Sequence, residues 1–126
     1  ADIQQDLIDL LTERKHELRL PALHPLLGQP DDPKLPDASV DLVFICDVLH
    51  HIEGRGAYYA KLRDALKPGG RIAIVDFHKR ELPVGPGVAM KIAREEAIAE
   101  LAEAGFALAA EHDFLPYQYF LTFERR

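Results

Sequence analysis

A chain of 126 residues, 48% hydrophobic and 29% charged, has the make-up of one globular domain and is too short for two comfortable ones. Its net charge of −6 comes from 15 basic residues scattered among 21 acidic ones, which leaves no basic stripe and argues against a nucleic-acid surface. The single cysteine, Cys46, rules out an internal disulfide and points to a cytoplasmic setting, and no apolar run approaches the roughly 20 residues that span a bilayer.

The opening residues, Ala1 to Asp6, lack the basic region and apolar core of a signal peptide. Met90 is the only methionine, so the chain is expected to begin at a processed or truncated end. Residues 6–18 read as an amphipathic helix, with Leu7, Ile8, Leu11 and Leu18 near one face and Glu13, Arg14, Lys15 and Glu17 mostly on the other. Pro21 and Pro25 stop it, and His24 to Gly28 suits at most a short edge strand. A proline- and aspartate-rich loop covers 29–39.

Val40 to Cys46 is a nearly continuous apolar run, the pattern of a strand covered on both faces. Asp47 closes it, followed by Leu49-His50-His51 and a helical segment over 56–66. Pro68-Gly69-Gly70 ends that helix, and Arg71 to Phe77 is the next buried strand. Strand, crossover helix and strand of these lengths make a parallel β-α-β unit, and such sheets bind ligands at the carboxyl ends of their strands. A loop over 79–87 leads to a helix expected at about 89–104, stopped by Gly105. Two strand-like runs, 106–114 and 117–124, are spaced as an antiparallel hairpin.

No glycine-rich turn with a strand before it and a helix after it occurs in the chain. Gly54 and Gly56 follow no strand, Gly69 and Gly70 precede one, and Gly85 and Gly87 sit in the loop after the second strand.

In chain order, Leu35-Pro36-Asp37 leading to Val40-Asp41-Leu42-Val43, Leu49-His50-His51, Leu66-Lys67-Pro68-Gly69-Gly70 and Glu103-Ala104-Gly105-Phe106 resemble the C-terminal part of class I S-adenosylmethionine-dependent methyltransferases, the small-molecule type 11 group especially. The resemblance implies an α/β fold over 1–126: a truncated Rossmann-like sheet, part of one methyltransferase domain, with two parallel strands, a C-terminal antiparallel hairpin and flanking helices. In that family the strand order is 3-2-1-4-5-7-6, and the first strand leads into a glycine-rich loop at the cofactor. Both are expected to be absent here.

The resemblance further implies S-adenosylmethionine as cofactor and a small-molecule methyl acceptor. Asp2, with Ile3 after it, stands where the family has an acidic residue for the ribose hydroxyls; a solvated terminal aspartate is the plainer reading. Gln29, Asp31 and Asp32 fall in the loop that cups the adenine, or serve as turn residues beside proline. Cys46 and Asp47 end the family's fourth strand, where cofactor and substrate are met; Cys46 also reads as a small buried hydrophobe.

His50 and His51 are about 100° apart if helical and cannot chelate together, so no metal site is expected. One of them is a candidate base or orienting group on the substrate side, against packing as the alternative. No catalytic residue is assigned, because a base is needed only if the acceptor loses a proton. Tyr117, Gln118, Tyr119, Phe120 and Phe123 suggest an aromatic substrate wall, but alternation in a terminal hairpin reads more simply as core on one face, and the glutamates at 95, 96, 100 and 103 read as a solvated helix face. Without the first strand, the family's fourth strand keeps a bare edge, so a homodimer or swapped oligomer through it is expected. Two functions stand side by side: an enzyme once its upstream half is supplied, or a non-catalytic fragment that binds no cofactor alone.

Overall fold

The computed structural model describes all 126 residues. Helix α1 spans Gln5–Glu17, and strand β1 spans Val40–Cys46. Helix α2 (Arg55–Ala65) crosses over to strand β2 (Leu66–Phe77). Helix α3 (Arg94–Glu103) precedes the hairpin of β3 (Phe106–His112) and β4 (Gln118–Arg125). Two 3-10 turns, Leu49–His51 and Val88–Met90, follow β1 and the β2 loop.

The four strands lie in the order β1-β2-β4-β3. β1 and β2 run parallel, from Leu42 opposite Arg71 to Cys46 opposite Val75, and β4 pairs antiparallel with both β2 and β3. The expected β-α-β unit and terminal hairpin are therefore joined in one sheet. Gly105 stops α3 with φ +91, a left-handed angle that costs a glycine little.

Alternation along the strands divides the sheet into two unlike faces. Val43, Ile45, Ile72, Ile74, Leu121 and Phe123 are buried against Tyr59 and Leu62 of α2 and Ala97 and Leu101 of α3. The opposite face is open over β1, where Leu42 is 57% and Phe44 60% exposed. The expectation that β1 is covered on both faces is thus corrected. Its apolar run is real, but both helices that follow in the chain pack on one side. α1 does not close the other side either: Ile8 is its one buried residue, while Leu7, Leu10 and Leu11 stay exposed.

Three further expectations change. The helix expected from about residue 89 begins only at Arg94, because Lys91–Ala93 is extended and tied down. The Lys91 ammonium, 3% exposed as a residue, donates to the Arg80 carbonyl at 2.6 Å, and the Tyr119 hydroxyl donates to the Ile92 carbonyl at 3.0 Å. The strand considered at His24–Gly28 reduces to one parallel bridge between Asp2 and Leu27. Glu100 is no solvated helix residue: the Arg55 guanidinium donates to both of its oxygens, at 2.7 and 2.8 Å, joining α2 to α3.

Phe123 is fully buried at the sheet centre. Phe123→Ala is expected to cost about 3–5 kcal/mol in urea unfolding, the range for a core aromatic cut to a methyl, whereas Leu108→Ala, at an exposed position of β3, is expected to stay within about 1 kcal/mol.

Candidate functional site

β1 and β2 both end at the same edge of the sheet, and the chain turns sharply there. Asp47 has φ +58, a left-handed conformation that side-chain-bearing residues adopt rarely and at a cost. It is held by two bonds: its N–H donates to the Val75 carbonyl at 2.8 Å, and its Oδ1 accepts from Gln118 Nε2 at 2.6 Å. The reversal at Asp47 brings the Leu49–His51 turn across to the end of β2.

At that end lies Asp76, fully buried. Its Oδ1 accepts the Phe77 N–H at 2.8 Å and lies 3.0 Å from His50 Nδ1; its Oδ2 accepts the His50 N–H at 3.3 Å. The two side chains are 3% and 1% exposed. A buried carboxylate is tolerable only with such partners. The His51 ring lies against that of His50, tilted by 45° with centroids 4.2 Å apart.

A groove of about 600 Å³ runs beside β1. Its lining takes in Leu42, Val43, Phe44 and Ile45 in succession, residues that point alternately to both faces, so it follows the strand's outer edge. Asp2, Ile3, Gln29, Asp31, Val48 and His51 complete the mouth.

Of the seven candidate cofactor residues, four, Asp2, Ile3, Gln29 and Asp31, share this groove. Asp2 is more ordered than a frayed terminus: its N–H donates to the Leu26 carbonyl at 3.0 Å, its carbonyl accepts from Gly28 at 2.7 Å, and its Oδ1 accepts the Gln4 N–H at 2.9 Å. Oδ2 is left without a partner. Asp32 is a turn residue, accepting the Lys34 N–H at 2.8 Å with Lys34 and Lys61 ammonium groups near Oδ2; the backbone bond and those charges hold its carboxyl below the usual range. Cys46 is exposed rather than buried, on the open face at the end of β1, with Asp47 beside it turned to Gln118.

The sequence reading gives Asp76 no role beyond ending a strand, and treats Gln118 only as part of the terminal hairpin. One signal was present: a carboxylate closing the apolar run of β2 is costly to bury and needs a partner from a neighbouring strand end.

A sheet with two parallel strands, crossover helix on one face, antiparallel hairpin and a groove at the strand ends defines a methyltransferase-type α/β domain. A family profile described as "Methyltransferase domain" matches residues 1–74, and the chain belongs to that family. It is 33% identical over 94 residues to the 27-O-demethylrifamycin SV methyltransferase of Amycolatopsis mediterranei (strain S699), which covers 65% of this chain and 35% of that protein. A SAM-dependent methyltransferase from Aquifex aeolicus superposes with a TM-score of 0.89 at 22% identity, over 96% of this chain and 64% of that one. The [4+2]-cyclase SpnF superposes with a TM-score of 0.75 at 19% identity, over 88% and 42%. The chain thus spans about a third of the curated relative and under two thirds of either structure.

Partial desolvation, then the neighbouring Asp47 charge, push the Cys46 thiol up from its ordinary value. A raised value means less thiolate at a given pH. Iodoacetamide at pH 8 is therefore expected to alkylate Cys46 more slowly than free cysteine despite its exposure, and Asp47→Asn to speed the reaction, as followed by mass spectrometry.

Proposed function

We propose that the polypeptide carrying these residues transfers a methyl group from S-adenosylmethionine to a small molecule. The observation that carries the reading is the gathering of Asp2, Ile3, Gln29 and Asp31 around one groove beside β1, within a domain of the methyltransferase family. The curated relative is a methyltransferase for 27-O-demethylrifamycin SV, which favours a small-molecule acceptor. The fold by itself does not set the reaction, since a cyclase shares it.

The residues fit the nucleoside end of this cofactor. The free Oδ2 of Asp2 is an acceptor for a ribose hydroxyl. Ile3, 55% exposed, offers an apolar surface to the adenine, and the side chains of Gln29 and Asp31 offer acceptors for its amine. The cofactor, when bound, supplies a methyl group already activated on a sulfonium. The chain's share of the work is then to hold the donor, align the acceptor and exclude water.

Titration calorimetry of the whole natural polypeptide with S-adenosylmethionine tests the reading, and absence of saturable heat would overturn it. Asp2→Ala is expected to weaken binding by about 10–100-fold, the worth of a hydrogen bond to a charged group.

A second reading, of a non-catalytic unit, concerns these 126 residues by themselves. The outer edge of β1 has no strand partner, and Leu42 and Phe44 stand open beside it. Bare strand edges template pairing with another chain. The 126-residue chain is expected to self-associate, with a concentration-dependent mass in light scattering, and Phe44→Lys to shift it toward monomer. A mass independent of concentration would remove this reading.

A further inference from the structure

We propose that residues 81–90 form a lid at the carboxyl ends of β1 and β2, hinged on a fixed neck between Arg80 and Lys91, that closes when the site there is filled. The inference rests on the proposed methyl-transfer function and adds a moving part to it.

A lysine ammonium is costly to bury, and Lys91, 3% exposed, is the only lysine that the fold buries. Its Nζ donates to the Arg80 carbonyl at 2.6 Å, across eleven positions of sequence. The bond draws the two ends of the segment together and makes 81–90 an Ω-loop, a surface excursion whose ends meet. The neck is fastened to the frame on both sides. The His78 N–H donates to the Tyr117 carbonyl at 3.0 Å, and the Tyr119 hydroxyl donates to the Ile92 carbonyl at 3.0 Å.

Between these ties the loop is nearly free. No backbone hydrogen bond involves residues 81–86. The turn at Val88–Met90 is held by local bonds alone, from the Met90 N–H to the Gly87 carbonyl and from the Lys91 N–H to the Val88 carbonyl. Val84, Val88 and Met90 are apolar yet stand exposed, so the loop spends none of them on the core. A stretch with so few bonds opens at little cost in free energy.

One contact holds the tip down. Gly85, at φ +88, lies so close to Phe77 that a Cβ there would come within 2.9 Å of two ring carbons. Phe77 ends β2, and opposite it on β4 is Gln118, which reaches Asp47 beyond the end of β1. The tip therefore rests at the carboxyl ends of the parallel strands, where sheets of this class bind ligands. A glycine rests on a ring without interlocking with it, so the tip lifts and returns while the neck stays in place. A fixed hinge, an unbonded span and a light latch are the parts of a lid. Its closure removes water that would compete with the acceptor for the methyl group. Lys91 touches neither cofactor nor acceptor in this role and is a positioning residue.

Amide hydrogen exchange of the whole natural polypeptide, read residue by residue by NMR, tests the lid. Without ligand, the amides of Glu81, Leu82, Val84 and Gly85 are expected to exchange within about 10-fold of an unstructured chain, and those of His78 and Lys91 at least about 100-fold more slowly. Saturating S-adenosylmethionine is expected to slow the first group by about 10-fold or more. Lys91→Met, which keeps the volume but removes the donor, is expected to abolish that slowing, and Lys91→Arg to retain it. Gly85→Ala, at an exposed position, is expected to weaken it by forcing the tip off Phe77. Calorimetry should show cofactor affinity within about 3-fold of native for all three, which a general loss of structure would not allow. Slow exchange throughout 81–85 in the unliganded protein overturns the lid. Cofactor binding with no change at 81–85 overturns its closure, and a native response in both Lys91→Met and Gly85→Ala overturns the hinge and the latch. Failure to bind the cofactor at all overturns the underlying function instead, while the contrast between tip and neck still decides whether the loop moves.

Discussion

A carboxylate sealed beneath a sheet's end must find hydrogen-bond donors, and the geometry at the carboxyl ends of β1 and β2 follows from how Asp76 finds them. Its donors come from its own strand, through Phe77, and from the turn beyond the neighbouring strand, through His50. That second set is 26 residues away in sequence and is available only if β1 and β2 run parallel and in the observed register. A register slipped by one residue would turn Asp76 to the other face and leave it uncompensated, a penalty of several kcal/mol. The polar pair therefore helps fix an alignment that the apolar residues, being interchangeable, fix less sharply.

Much of the architecture was legible because it is written in local patterns. The apolar runs at 40–46 and 71–77, the glycine at 105 and the spacing of the hairpin each have a physical cause within a few residues of themselves. The same holds for the family resemblance, whose motifs are turns and strand ends. What was not legible depends on partners far apart in sequence. Asp76 and Gln118 looked like ordinary strand residues until β1 was placed beside β2 and β4 beyond it. Lys91 gave no sign that it would be buried on the Arg80 carbonyl and delay α3. The apolar content of β1 was read as burial on both faces, but content reports only what a strand tolerates, and coverage depends on where the helices lie.

The two faces of the sheet accordingly have different characters. One is closed by α2 and α3 over fully buried aromatic and aliphatic side chains. The other presents Leu42 and Phe44 of β1, and Phe114, at 70% exposure, stands out from the loop joining β3 to β4. α1 presents leucines of its own without covering this surface. The groove along β1 runs at the boundary between the closed and open parts of the molecule.

The fork between Arg55 and Glu100 has a mechanical consequence. Two parallel, charge-assisted bonds resist rotation as well as separation, and Tyr59, 3.4 Å from the same carboxylate, braces them from within α2. The pair of helices behind the sheet should thus behave as a stiff plate, unable to slide past each other when something presses on the front. The segment between β2 and α3 is tied to the same frame, by the Lys91 ammonium on the Arg80 carbonyl and the Tyr119 hydroxyl on the Ile92 carbonyl, so it is coupled to the plate at the end nearest α3.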